Sequence, residues 1–132
     1  MAEVTGRYLY LQVQSVEYRV YFEEAGTGVP VVLQHTAGCD SRQWRHVLED
    51  PDLTSRYRLI APDLPFHGRS LPPESQEWWT EEYRLHQDFF LAFHVALVQA
   101  LELEAPRVRR LLDGRAPRPP TSPCTIPACT GP

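Results

Sequence analysis

The chain is 132 residues long, enough for a single domain with one modest core. Its hydrophobic fraction of 42% and charged fraction of 23% are those of a globular protein, and no apolar run reaches the roughly 20 residues of a membrane-spanning helix. The net charge of −4 is unevenly placed. Residues 1–105 carry 16 acidic residues and 8 Arg, a net of −8, whereas residues 106–132 carry five Arg and only Asp113, a net of +4. The second segment also holds 7 of the 13 prolines and no aromatic residue, so two compositions meet near Pro106. A basic tail without Lys, aromatic interleaving or helical periodicity does not read as a nucleic-acid or membrane patch. Met1 to Arg7 lacks the basic start and apolar core of a signal peptide, which points to the cytoplasm. The three cysteines, Cys39, Cys124 and Cys129, have no framework spacing and are expected as free thiols.

In chain order, Tyr8–Val13 and Val16–Phe22 alternate in aromatic and β-branched residues across Gln14-Ser15, a hairpin signal without the usual turn glycine. Val29–Gln34 is a short continuous apolar run, the pattern of a strand buried on both faces. His35-Thr36-Ala37-Gly38-Cys39-Asp40 ends it in small and polar residues. Asp40 or Ser41 caps a predicted helix over 42–49, with Trp44 and Leu48 on one face and Pro51 as its stop. Tyr57–Ala61 is a second buried parallel strand, followed by the polar loop Pro62 to Ser70. A long helix is predicted from Thr80 as N-cap to about Glu104, its buried face formed by Phe90, Phe93, Leu97 and Leu101. The fold class expected is α/β, with a hairpin, two parallel strands and two helices. Residues 1–105 form the domain and 106–132 a separate tail, disordered from Pro117 onward.

The series Val31-Val32-Leu33-Gln34-His35-Thr36-Ala37-Gly38, then Trp44, then Ala61-Pro62-Asp63-Leu64-Pro65-Phe66-His67-Gly68-Arg69-Ser70 resembles the N-terminal part of an α/β-hydrolase, over about Arg7 to Ala105. The family often has Gly where this chain has Thr36, and Gly again near Pro65-Phe66. The resemblance implies that the loop after the first parallel strand lends a backbone N–H to an oxyanion hole. That donor is Thr36 or Ala37, with Ala37 preferred, because small residues let the N–H approach developing charge. It also implies a small-molecule substrate, a Ser nucleophile, a late acid and a late His acting on an ester-like or C–C bond without cofactor. None of those three groups stands at a matching position here.

The residues themselves favour structural roles. His35 is expected to bond loop backbone. Asp63, His67 and Ser70 crowd one loop too tightly to align as a triad. Gly68-Arg69-Ser70-Leu71-Pro72 fails the G-x-S-x-G elbow at its last position. His35, Gly38, Asp63, His67, Gly68 and Ser70 are therefore read as the structural rim of the site. Cys39 has no base beside it. His46, His86 and His94 lack a second ligand at helical spacing, and Cys124 and Cys129 offer too little for zinc, so no metal or cofactor is expected. Trp78 and Trp79 read as core or lid packing.

After Ala105 a nucleophile strand and elbow are expected, but Arg107 to Pro120 carries five Arg and three Pro. That composition argues against a buried strand. The stretch Leu111–Pro119 can be encoded so that, read one base later, it gives Cys-Ser-Met-Gly-Gly-Arg-Leu-Ala. With Arg110 ending in two guanines a Gly precedes it, and a G-x-S-x-G elbow results. The expectation is a frameshifted hydrolase, truncated before its nucleophile and itself inactive. The open edge Val31–Leu33 would favour self-association. Two alternatives are a small interaction module pairing through that edge, and a weak esterase using Ser70 or Cys39.

Overall fold

A computed structural model describes residues 2–104 and 106–110. Strands β1 (Thr5–Val13) and β2 (Val16–Ala25) form the hairpin, β3 (Val29–Gln34) and β4 (Tyr57–Pro62) are the parallel pair, and β5 (Arg107–Arg110) is a fifth strand. The sheet order is β1-β2-β4-β3-β5. The β1–β2 and β2–β4 pairs are antiparallel, while β3 runs parallel to both β4 and β5. The hairpin turns at Gln14 and Ser15 with φ of 50° and 67°. Those are the two positive φ values of a type I′ turn, whose twist matches the flanking strands. Val13 pairs with Val16 across it, so the turn forms without the glycine that would announce it.

The apolar runs of β3 and β4 are buried on both faces. Val32 and Ile60 join Leu11, Val20, Phe22, Phe93 and Leu97 on one side of the sheet. Val31, Leu33, Leu59 and Ala61 join Trp44 and Leu48 on the other. A strand clothed on both faces needs apolar residues at every position, which is why these two runs do not alternate.

The helices depart from expectation in three places. The predicted helix over 42–49 is a 3-10 helix, Ser41–Trp44, continued by α1 (Arg45–Leu48). Asp40 caps it, its carboxylate accepting the Arg42 N–H at 3.0 Å. Pro51 does not only end this segment: it is the first residue of α2 (Pro51–Thr54), capped by Asp50. Proline suits that position because its missing N–H has no helical partner there anyway. The long helix does not begin at Thr80. Residues Trp78–Thr80 form a separate 3-10 turn, and α3 spans Gln87–Ala100. Thr80 instead turns its hydroxyl back to the Glu77 carbonyl, and Tyr83 stacks on Phe66 with ring centroids 4.7 Å apart. That tertiary contact overrides the local capping signal. The C-terminal end of α3 is a Schellman motif. Leu103 N–H bonds Val98 O and Glu102 N–H bonds Gln99 O, with Glu102 at φ 51°.

The expected open edge at Val31–Leu33 is corrected. Val31 to Gln34 pair in parallel with Arg107 to Arg110. The sequence argument excluded a strand there because Arg resists burial on two faces. At a sheet edge, however, backbone pairing needs only one neighbour, and charged residues are tolerated. The expected disorder of 117–132, and the thiols Cys124 and Cys129, lie outside the described residues.

Candidate functional site

The parallel strands β3 and β4 end side by side, so the loops leaving them, 35–40 and 63–70, meet at one end of the sheet. His35 is 3% exposed and ties the two together. Its Nε2 accepts the Leu64 N–H at 3.0 Å, which leaves Nδ1 to carry the proton it donates to the Thr36 carbonyl at 2.9 Å. Both ring nitrogens are thus committed to backbone. Burial pushes the imidazole below its ordinary value, outweighing the Thr36 bond that pulls it up. His35 is a neutral clamp rather than a base.

In the first loop the Thr36 carbonyl also accepts the Cys39 N–H at 3.1 Å, closing a four-residue turn. Gly38 stands at the third position with φ 76°, the value that a type II turn demands. A Cβ on Gly38 would meet nothing within 4 Å, so conformation, not crowding, calls for glycine here. Thr36 N–H is engaged by Gln43 Oε1 at 2.9 Å. Ala37 N–H has no hydrogen-bond partner among the described residues, and Ala37 is exposed. Of the two candidate donors, one is occupied and one is free. Cys39 is exposed and unpaired.

The second loop brings Asp63, His67, Gly68 and Ser70 together as backbone fasteners. Asp63, 1% exposed, accepts the Ser41 N–H at 2.6 Å and the Arg69 N–H at 2.8 Å. Ser70 Oγ donates to the Asp63 carbonyl at 2.7 Å and accepts the Tyr21 N–H at 2.9 Å. His67 Nδ1 lies 3.0 Å from the Pro65 carbonyl, its ring 5.1 Å from that of His35. Neither Ser70 nor Asp63 bonds an imidazole, so the three do not act as a triad. Gly68 has φ 51°, and a Cβ there would sit 2.3 Å from Asp63 Oδ2. Phe66 takes φ 67° without being glycine, held by its rings' contacts with Trp78, Tyr83 and Tyr18.

Other candidates sit apart from this pair of loops. His94 is buried on α3, where Nδ1 meets the Phe90 carbonyl at 2.8 Å, and burial lowers its pKa. His46 and His86 are exposed. Among the described residues no group of three His, Cys, Asp or Glu is arranged to hold a metal ion, and no helix is long and apolar enough to cross a membrane. Trp78 and Trp79 are not core: they are 45% and 66% exposed beside an open cleft with Phe66 and Tyr83. Gln43 had escaped sequence reasoning. A Gln inside a short helix carries no motif, and only its contact with Thr36 reveals it.

A family model described as alpha/beta hydrolase fold matches residues 29–106, more than half of the chain. The chain belongs to this family. The hydrolase-fold chain is also similar to solved structures of a haloalkane dehalogenase, DatA from Agrobacterium tumefaciens C58, at 25% identity and TM-score 0.58. It is similar to the epoxide hydrolase CorEH at 26% identity and TM-score 0.60. Each of these alignments covers 80% of this chain and 32% of the other. A bromoperoxidase from Bacillus anthracis is similar at 29% identity and TM-score 0.57, over 77% of this chain and 34% of that one. The hydrolase-fold chain therefore spans about a third of the length of these structures. No curated protein matches its sequence.

Proposed function

We propose that these residues are the oxyanion-donor half of a cofactor-independent serine-type hydrolase of small ester-like or C–C substrates. The observation that carries this reading is the exposed Ala37 N–H, which has no hydrogen-bond partner among the described residues, beside a Thr36 whose N–H and carbonyl are both engaged. In the parent reaction a serine oxygen attacks the substrate carbonyl carbon, and the negative charge that gathers on the carbonyl oxygen is stabilised by an N–H of this kind. The 132 residues offer no elbow serine, late acid or late histidine at the family's positions, so on their own they bind without turning over. We expect the purified chain to release no p-nitrophenol from p-nitrophenyl acetate above buffer. Turnover abolished by Ser70→Ala or Cys39→Ala would overturn this and establish a weak esterase.

The same reading includes a frameshift and a cytoplasmic location. The elbow that a shifted frame could encode would begin at Arg110, the last residue of β5, which pairs with β3. That is where a strand should deliver a nucleophile to the loop at Ala37. Sequencing the locus decides it: the idea fails if no single insertion or deletion near codon 106 opens a hydrolase frame.

A second reading, an interaction module, is favoured by the outer edge of β5, which has no strand partner among the described residues. Strand addition there uses backbone pairing. Self-association through that edge predicts a dimer by sedimentation. A monomer at all salt concentrations removes it.

A further inference from the structure

We propose that Gln43 is the positioning residue of the oxyanion loop, holding the N–H side of Thr36 so that, of the two adjacent amides Thr36 and Ala37, Ala37 presents the free donor. The inference rests on the hydrolytic reading of that loop. Gln43 sits on the 3-10 helix Ser41–Trp44, which is fixed at its start from two directions. Asp40 takes the Arg42 N–H, and the buried Asp63 takes the Ser41 N–H. Ser41 and Trp44, on either side of Gln43, are buried. The carboxamide therefore extends from a rigid base.

Its Oε1 accepts from Thr36 twice, from the N–H at 2.9 Å and from the hydroxyl at 3.4 Å. The carbonyl of Thr36 is held by Cys39 N–H and His35 Nδ1. These two sets of bonds act on the two ends of one residue. The Thr36 carbonyl and the Ala37 N–H belong to the same planar trans peptide and point in opposite directions. Donors that pull the carbonyl one way thus aim the Ala37 N–H the other way, toward the open side of the turn. Gln43 supplies the counter-hold. Without its oxygen, Thr36 N–H becomes a further free donor, and the Thr36–Ala37 peptide keeps only the hold on its carbonyl, so its orientation loosens. Preorganised donors act on developing charge because they need no reorganisation when it appears, so a loosened peptide loses that advantage.

The test uses the full chain, labelled with nitrogen-15. Amide exchange is read at Thr36 and Ala37, and methylphosphonate is titrated as a tetrahedral anion. We expect Thr36 to be protected, and Ala37 to exchange freely and to shift with the anion. Gln43→Leu, which keeps the size and removes the acceptor, should speed Thr36 exchange about tenfold, the effect of one lost hydrogen bond. It should also at least halve the Ala37 response, while Val32 and Ile60 stay protected as controls for global folding. Gln43→Glu keeps the acceptor and should restore both Thr36 protection and the resting Ala37 signal. A Leu variant with wild-type behaviour at both amides overturns the assignment. If Ala37 ignores the anion in the wild type while Thr36 protection still depends on Gln43, the hold on the loop stands and the oxyanion reading falls.

Discussion

The two loops at the end of the parallel strands use the same residue types to opposite ends. The loop 63–70 collects an Asp, a His and a Ser, and the hydrogen bonds of all three lead to backbone. The loop 35–40 looks plainer, yet it keeps a backbone N–H free and a thiol exposed. Catalytic capacity depends on unused hydrogen-bonding valence rather than on the presence of reactive side chains. A group already bonded to its own scaffold must first lose that bond before it can serve a substrate.

The comparison breaks most readily at Asp63. Replacing it with Ala leaves two backbone donors without partners, and the unfolding free energy from urea titration should drop by about 3 kcal/mol. Asp63→Asn, which keeps an acceptor oxygen, should lose less. A loss no larger than that of an exposed carboxylate would mean the loop is not fastened there.

The two glycines sharpen the contrast next. Gly68 and Gly38 both have positive φ, but only Gly68 faces crowding, from Asp63 Oδ2 at 2.3 Å. Gly38→Ala should cost about 1 kcal/mol, the price of a left-handed backbone alone. Gly68→Ala should cost about 2 kcal/mol or more, because the Asp63 fastening must shift as well. Equal effects on the urea midpoint would refute the distinction.

Acid should separate the loops' shared clamp from the rest. His35 and His94 both have folded pKa values below the ordinary 6.5, chiefly through burial. The unfolded chain therefore takes up protons first as pH falls through 6.5. Stability is complete above that value and declines below it, until the folded histidines protonate as well. Protonating His35 also costs the Leu64 N–H its acceptor. His35→Gln should flatten part of the slope of unfolding free energy between pH 7 and 5; an unchanged slope would leave the clamp without a role in it. The smallest effect is expected at Cys39. Its substitution by Ser should change stability by less than about 0.5 kcal/mol, and in the native chain it should react fully with a thiol reagent without denaturant.

The sequence by itself determined the hairpin, the two parallel strands and the family. Alternating and continuous apolar runs report directly how many faces of a strand are covered, and the residues His35 to Gly38 and Asp63 to Ser70 stand at characteristic distances along the chain. It also led to the expectation that Asp63, His67 and Ser70 crowd one loop too tightly to align as a triad, and the structure shows the hydrogen bonds of all three leading to backbone. What it could not determine was decided by contacts between distant segments. Thr80 lost its role as a helix cap because Tyr83 found Phe66 and His67 across the loop. Arg107–Arg110 became a strand because β3 offered a backbone edge, and an edge does not ask for apolar residues. Thr36 N–H was taken up by Gln43, seven residues away in the chain but 2.9 Å away in space. A hydrogen bond's partner is set by tertiary approach, and no local pattern records it.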